Sequence, residues 1–473
     1  MTDKSNKDTI KQILADGGLM IVESPTKARE ISSFLGQGWR ILPTKGFMFE
    51  LKDPKKLSKK EQEHYRDYSI RVDDGSFDRL LDHDSQNRSN WRDIVQAVDS
   101  GRWKHFYVST DPDEAGELIG REVVDALGSK LRNMDVRRAS WHEITKKAVL
   151  QGLSDYGPID RRKADAAEAR QVYDRLFGFS VSPYLWRTVG SGTSGGRTQS
   201  PALRLIVKRE EDRLGFVKTG YNTITAIFNK GTDKELEATL TEWDGSRIAT
   251  GSDFNAEGKL DRKNRLHLDD GNTKAILKEL GTMSFLVTDI KESPYTRRPA
   301  PPYTTSSYQQ NVGGRLGLSS KRAMTIAQQL FENAIQTYSR TDSPAMADEA
   351  IKAARSIIRK DYGGDMPAQP IRYRSKSKSA QEGHECIRPI VDDTGSFPSP
   401  SAIRSRTRSK QFDSKAGDVY DLVYRRTVAS QMSPATGTTR RITVKSKDGK
   451  AVFTASSTRI EHRGFLEAYD DED

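Results

Sequence analysis

The feature that most constrains this chain is a pattern that occurs twice: a short apolar run, an acidic turn, then an amphipathic helix. Gly18 to Glu23 reads as a buried strand, and Ser24-Pro25 leads it into a helix through Lys27, Ile31 and Leu35, with Pro25 suited to a first helical turn. His105 to Thr110 reads as a second buried strand and runs straight into DPDEAGEL and a helix through Leu118, Val123 and Leu127. Strand, acidic turn, helix, twice over, predicts a parallel α/β domain, whose ligand sites lie beyond the carboxyl ends of its strands.

One such domain accounts for only part of 473 residues; the length predicts about three or four domains. Residues 50–90 are dense in charge and poor in periodicity, which predicts loops and short surface elements. From Arg161 to Leu214 the pattern is mostly helical, interrupted by VGSGTSGG (Val189 to Gly196) before a helix carrying Leu203, Leu205 and Ile206. Alternation in NTITAIF and KELEATLTEW, between Tyr221 and Asp289, predicts antiparallel strands. RRPAPPY (Arg297 to Tyr303) marks a boundary, after which helical periodicity resumes through Ala323, Ile326, Leu330 and Phe331. A Ser/Arg/Lys-rich stretch from Arg372 to Lys410 is expected to be mobile in part. TTRRITVKSKDGKAVFTAS predicts a hairpin around Asp448-Gly449, and EAYDDED is an acidic tail.

Charge and cysteine content narrow the chemistry. Lys and Arg number 77 against 66 Asp and Glu, a net +11 that favours a polyanionic partner. The single Cys386 cannot form an intrachain disulfide, no Cys/His spacing supports structural zinc, and none of the seven histidines pairs at i, i+4 on a plausible helix. A metal, if used, must be held by oxygen. No apolar run approaches the roughly 20 residues a bilayer requires, and the leader MTDKSNKDTIKQ lacks a secretory pattern, so a soluble intracellular protein is expected.

Carboxylates are therefore the place to look. Asp111, Asp113 and Glu117 cluster after one predicted strand and Glu23 ends another. Adjacent parallel strands would bring them into one cleft, where their repulsion calls for a hard cation such as Mg²⁺ or for protons. The plainer reading is that Asp111 and Asp113 only cap the following helix. The glycine loop before Arg197 could cradle a phosphate on its backbone N–H groups, or simply connect two helices. In TYSRTDSP, Tyr338 lies two residues before Arg340. A phenol with a pKa of about 10 is a poor nucleophile unless cations stabilise its oxyanion; Arg340, Lys27, His384 and Arg388 are candidates for that role or for clamping the phosphate it attacks. Taken alone, any one of 16 tyrosines is more often a packing residue.

Together these fragments resemble the type IA DNA topoisomerases. IVESPTKAREI is similar to the opening of the family's Toprim domain and TDPDEAGE to its acidic motif; WHEIT, SGGRTQSPALRLI, RRPAPPYTTSSYQQ, TYSRTDSP, GHECIRP and VASQMSPA follow in family order, from about residue 18 to 468. The resemblance implies a multidomain α/β and α+β fold: a Toprim domain (17–158), an adjoining helical domain (159–216), a β-rich hinge domain (217–297 and 411–473) and a helical domain bearing the tyrosine (298–410), joined in a ring. It implies that Tyr338 attacks a phosphodiester of single-stranded DNA to give a 5′-phosphotyrosyl link, that another strand passes, and that reversal reseals the break without ATP. Glu23 would act as general acid/base near the leaving 3′-oxygen, and Asp111, Asp113 and Glu117 would organise Mg²⁺. Lys27 and Arg340 would stabilise the phosphate, with His384 also at the catalytic centre; Arg197, Gln199, Ser200 and Arg388 would contact DNA. The expected protein is a monomer associated with DNA.

The chain also departs from the family pattern. Glu114 and Ala115 stand where the acidic motif usually has Arg and Glu, and successive helical side chains project about 100° apart, so Glu114 need not replace the missing acid. Gly46-Phe47 stands where a glycine-histidine pair is expected. Family members continue past GFLEAY, so a truncated form, a compact variant or a split enzyme whose remainder is another chain is expected. A single-stranded-DNA-binding protein impaired in cleavage is the second reading, and a Toprim nuclease or primase the third, which leaves TYSRTDSP unexplained.

Overall fold

The computed structural model describes residues 2–374, 385–409 and 411–469, with side chains from residue 9 onward. The chain forms two compact units, one from Met1–Arg197 with Ala300–Met432 and the other from Thr198–Pro299 with Ser433–Asp473.

The first unit is organised by a four-stranded parallel sheet. Its order is Trp39–Pro43, Gly18–Val22, His105–Val108, Asp135–Arg138, so the two strands that precede the acidic turns are adjacent and central. All five residues of the Gly18–Val22 strand are buried, as a parallel sheet covered on both faces requires. Alternation divides them: Met20 and Val22 join Tyr107, Ile31 and Leu35 on one face, while Leu19 and Ile21 join Phe106, Val108, Val123 and Leu127 on the other. The turns become helices at Pro25–Leu35, capped by Ser24, and Glu114–Leu127, capped by Asp113. A long helix, Arg161–Thr188, lays Ala164 and Ala167 against Leu118 of the acidic helix.

The 50–90 region is short elements up to a helix at Arg88–Asp99, whose Ile94, Ala97 and Val98 face the core. Residues 300–432 add helices Thr305–Leu316, Ser320–Glu332, Asp348–Asp361, Pro400–Arg406 and Ala416–Ala429 around Tyr308, Ile326, Leu330, Tyr420 and Val423. One expectation changes here. Residues 411–429 do not return to the β-rich part, because the Val419, Tyr420 and Val423 face of the last helix completes this helical core; the return begins at Ser433. The stretch 372–410 contains the ordered helix Pro400–Arg406, while 375–384 lies outside the described residues.

The second unit is a seven-stranded sheet. Its path runs Arg265–Leu266, Ser246–Ile248, Leu236–Trp243, Ala451–His462, Ala435–Ser446, Phe285–Arg297, with Thr225–Phe228 also on Leu236–Trp243. The hairpin turns at Asp448-Gly449 as expected: Gly449 has φ +75°, and Asp448 accepts from Ser446 and from the Lys450 N–H. A helix at Asp270–Leu280, capped by Asp269, interrupts the expected run of strands and packs Ile276 into the sheet core. Gln199–Gly215 belongs to this unit and buries none of its residues, so the expected 159–216 helical domain divides after Arg197.

Candidate active site

The acidic turns meet as the strand order dictates. Glu23 and Asp111 follow adjacent strands, and the Asp111 N–H donates to Glu23 Oε1 at 3.0 Å. The loop after the second strand is tight. Thr110 Oγ1 donates to the Gly116 carbonyl at 2.6 Å, Asp113 Oδ1 accepts from the Gly116 N–H at 2.8 Å, and a Cβ on Gly116 would sit 2.1 Å from the Asp111 carbonyl oxygen. Only glycine lets the helix begin this close to the acids.

Lys27, one turn into the first helix and 3% exposed, forms an ion pair with Asp111 and lies 4.7 Å from the centroid of the Phe331 ring. Phe331 in turn packs edge-on to Tyr338, with centroids 5.1 Å apart. Tyr338 is buried on an extended segment laced by hydroxyl contacts: Thr337 Oγ1 donates to the Cys386 carbonyl, and Thr305 Oγ1 to the Ser339 carbonyl. Its phenol donates to Asp113 Oδ2 at 2.6 Å, and Arg340 Nη1 lies 3.5 Å from the same oxygen. The structure thus brings Tyr338, Arg340, Glu23, Lys27, Asp111 and Asp113 together.

Burial raises the Glu23 carboxyl to about 7, the charge of Asp111 adds to the rise, and Lys27 opposes it. Such a group can give or take a proton near neutral pH. Burial, then the charges of Asp111 and Asp113, push the Tyr338 phenol far above its ordinary range, against a smaller pull from Arg340. The phenolate is not populated at rest, and the proton must leave as the nucleophile attacks.

The remaining expected residues meet other partners or lie elsewhere in the chain. Glu117 points inward: Oε1 accepts from Arg138 Nε at 2.9 Å and Oε2 from the Asp160 N–H at 3.0 Å. Asp111 is committed to Lys27, and Asp113 caps its helix as well as meeting Tyr338. Among the described residues no group of three or more His, Cys, Asp or Glu is arranged to hold a metal. Arg388 is buried and bonded to Glu143 and Glu385 rather than presented to a ligand. Arg197 is exposed and pairs with Asp174 at 2.8 Å. Gln199 and Ser200 lie in the second unit, and His384 lies outside the described residues. In the glycine loop, Gly195 donates to Ser182 Oγ at 3.2 Å, and a Cβ there would sit 2.5 Å from Val181; close packing on the long helix accounts for that glycine.

Glu114 pairs with Arg170 of the long helix and so does not stand in for the acid absent at Ala115. Phe47, in the place of the expected histidine, packs on the Leu118, Ala164 and Ala167 cluster. Arg138 is a residue that sequence reasoning missed. Besides Glu117 it donates to the carbonyls of Val108, Thr110, Asp111 and Ala139, and so fixes the backbone under the acids. Its signal was faint: an arginine pair after the lone valine of DVRR.

A family model described as DNA topoisomerase matches residues 158–473, and a Toprim domain model matches residues 18–144. The chain is 36% identical over 473 residues to DNA topoisomerase 1 of Streptomyces coelicolor, covering 96% of this chain and 48% of that protein. It is 36% identical over 468 residues to DNA topoisomerase 1 of Mycobacterium tuberculosis, covering 95% and 48%. The fold resembles full-length topoisomerase I from Thermotoga maritima with a TM-score of 0.73 at 27% identity, covering 96% of this chain and 68% of that one. The chain spans about half the length of the curated relatives it matches.

Proposed function

The chain belongs to the type IA DNA topoisomerase family, and from that premise we propose that it cuts one strand of DNA through Tyr338, lets another strand pass, and reseals the cut without ATP. The observation that carries this reading is the phenol of Tyr338 held on Asp113 beside Glu23, Lys27 and Arg340.

Tyr338 Oη attacks phosphorus, forming the P–O(Tyr) bond as the bond to the 3′-oxygen breaks. Asp113 Oδ2 already accepts the phenolic hydrogen and is the base within reach. Glu23, with its carboxyl near 7, supplies a proton to the departing 3′-oxygen and takes it back on resealing. Arg340 and Lys27 offset the charge that builds on the phosphate. The phosphotyrosyl bond conserves the energy of the phosphodiester, so reversal needs no other source.

Toprim domains are in general magnesium-binding. The acids here are committed to Lys27, Arg138 and a helix cap, and the steps above are carried by protein groups. The substrate proposed is single-stranded or negatively supercoiled DNA, and the basic balance of the chain supports a polyanion. No helix among the described residues is long and apolar enough to cross a membrane.

The test is incubation with end-labelled single-stranded DNA followed by denaturation, comparing the native protein with Tyr338→Phe. A covalent adduct from the native protein that disappears in the variant supports the reading. An adduct that survives the substitution rules out Tyr338, and none from either leaves a DNA-binding protein. Plasmid relaxation with and without Mg²⁺ then measures turnover.

A further inference from the structure

Two consecutive residues of the WHEIT segment grip the nucleophile's strand. The His142 carbonyl accepts the Tyr338 N–H at 3.0 Å. Next to it, Glu143 Oε2 accepts from Arg388 Nη2 at 2.9 Å. Arg388 is itself bonded to the residue before the tyrosine: its N–H donates to Thr337 Oγ1 at 3.0 Å, and its carbonyl accepts the Thr337 N–H at 2.9 Å. Residues 142–143 therefore hold 337–338 once directly and once through Arg388.

The charges around Arg388 make the second hold separable. Its side chain is 3% exposed, and it faces two carboxylates, Glu143 and Glu385. Burial alone would lower its pKa, but Glu385 and then Glu143 hold it firmly protonated. Glu385 lies, like Tyr338, in the Ala300–Met432 part of the first unit. It takes Nε at 2.6 Å and Nη2 at 2.8 Å and is itself fixed by the Ala347 N–H at 2.6 Å. A buried guanidinium stripped of its only partner is strongly destabilising. Arg388 keeps Glu385 when Glu143 withdraws, so this contact can break without stranding a charge.

We infer that Glu143 is a positioning residue for the cleavage reaction: acting through Arg388 and Thr337, it seats the Tyr338 segment over Asp113, and it is the half of that grip built to let go. The inference rests on the covalent role of Tyr338 proposed above and adds a residue that touches neither the phosphate nor the phenol.

The experiment measures adduct formation on an end-labelled single-stranded oligonucleotide across DNA concentrations, for the native protein, Glu143→Gln, Glu143→Asp and Lys147→Ala, with the thermal midpoint of each. A shift of about 1 Å in a reacting group can cost on the order of 100-fold. Glu143→Gln should therefore slow adduct formation at saturating DNA by about tenfold or more, leaving the half-saturating DNA concentration unchanged. Glu143→Asp, which keeps the charge but shortens the reach, should fall between Gln and native. Lys147→Ala removes an exposed pair with Glu349 and should match native. If the native protein forms no adduct, the covalent reading itself fails. If it does, and Glu143→Gln either keeps the native rate or changes only the half-saturating concentration, the positioning role is wrong. Equal slowing in the Gln, Asp and Lys147→Ala variants, tracking a lowered thermal midpoint, would likewise overturn it in favour of general destabilisation.

Discussion

The phenol of Tyr338 and the carboxylate of Asp113 are 2.6 Å apart, although 225 residues separate them in the chain. One oxygen of Asp113 caps the acidic helix and the other accepts the phenolic hydrogen. The same carboxylate thus sets where the helix starts and where the tyrosine rests, which ties the shape of the acidic loop to the readiness of the nucleophile.

The Glu23 carboxyl near 7 gives the reaction a pH dependence with a definite sign. The protonated form is the proton donor, so single-turnover adduct formation, measured with a chelator present, should fall as pH rises through about 7. Glu23→Gln should flatten that limb. Lys27 lowers the Glu23 value, so Lys27→Met should move the limb to higher pH. Stability follows the same group: its contribution is fully present below the ordinary value of 4.5 and is lost as pH rises through about 7. A profile unchanged in both variants would remove Glu23 from the mechanism.

Glu117 should behave as a structural residue. Removing one partner of a buried ion pair costs about 3–5 kcal/mol, and Arg138 would lose its only carboxylate partner among the described residues. Glu117→Ala should lower the thermal midpoint and slow adduct formation in parallel, whereas Glu117→Gln, which keeps an acceptor for Arg138, should lose less of both. Loss of turnover at an unchanged midpoint would restore Glu117 to the role of metal ligand.

Gly116→Ala places a methyl group 2.1 Å from the Asp111 carbonyl oxygen, and backbone cannot yield as a flexible side chain can. The acidic loop must shift, moving Asp111 and Asp113 together. Adduct formation should fall by about 100-fold for a displacement of about 1 Å. Retention of native rates would show that the loop has more freedom than its hydrogen bonds suggest.

Binding to single-stranded DNA should weaken steeply with salt, because each neutralised phosphate releases counterions. The Arg197–Asp174 pair is exposed and worth little, so Arg197 can exchange its partner for a phosphate at small cost. Arg197→Ala should reduce the slope of log affinity against log salt by about 0.7. An unchanged slope would show that Arg197 remains with Asp174 in the complex.

The parallel domain was legible because its signals are local. The apolar runs at Gly18 and His105, the turn at Ser24-Pro25 and the helix after Asp113 each declare themselves within a few residues, and strand adjacency then follows from the rules of α/β folds. The hairpin at Asp448-Gly449 was legible for the same reason. Helix Asp270–Leu280 was lost among strands because its one buried stripe, Thr273 and Ile276, is too short to outweigh the alternation on either side.

What the sequence determined by itself is the inventory: a parallel domain ending in acids, a tyrosine flanked by hydroxyls and an arginine, and the family to which these motifs belong. What only the tertiary structure decided is which carboxylate does what. Glu117 faces Arg138, Asp111 faces Lys27, Asp113 faces Tyr338, and Arg388 turns inward to Glu143 and Glu385. Helical and strand periodicity fix which way a side chain leaves its own element. The partner it meets is set by packing between different segments, 84 residues apart for Lys27 and Asp111 and 225 for Asp113 and Tyr338, and there a buried charge takes the nearest opposite charge that lets it shed water.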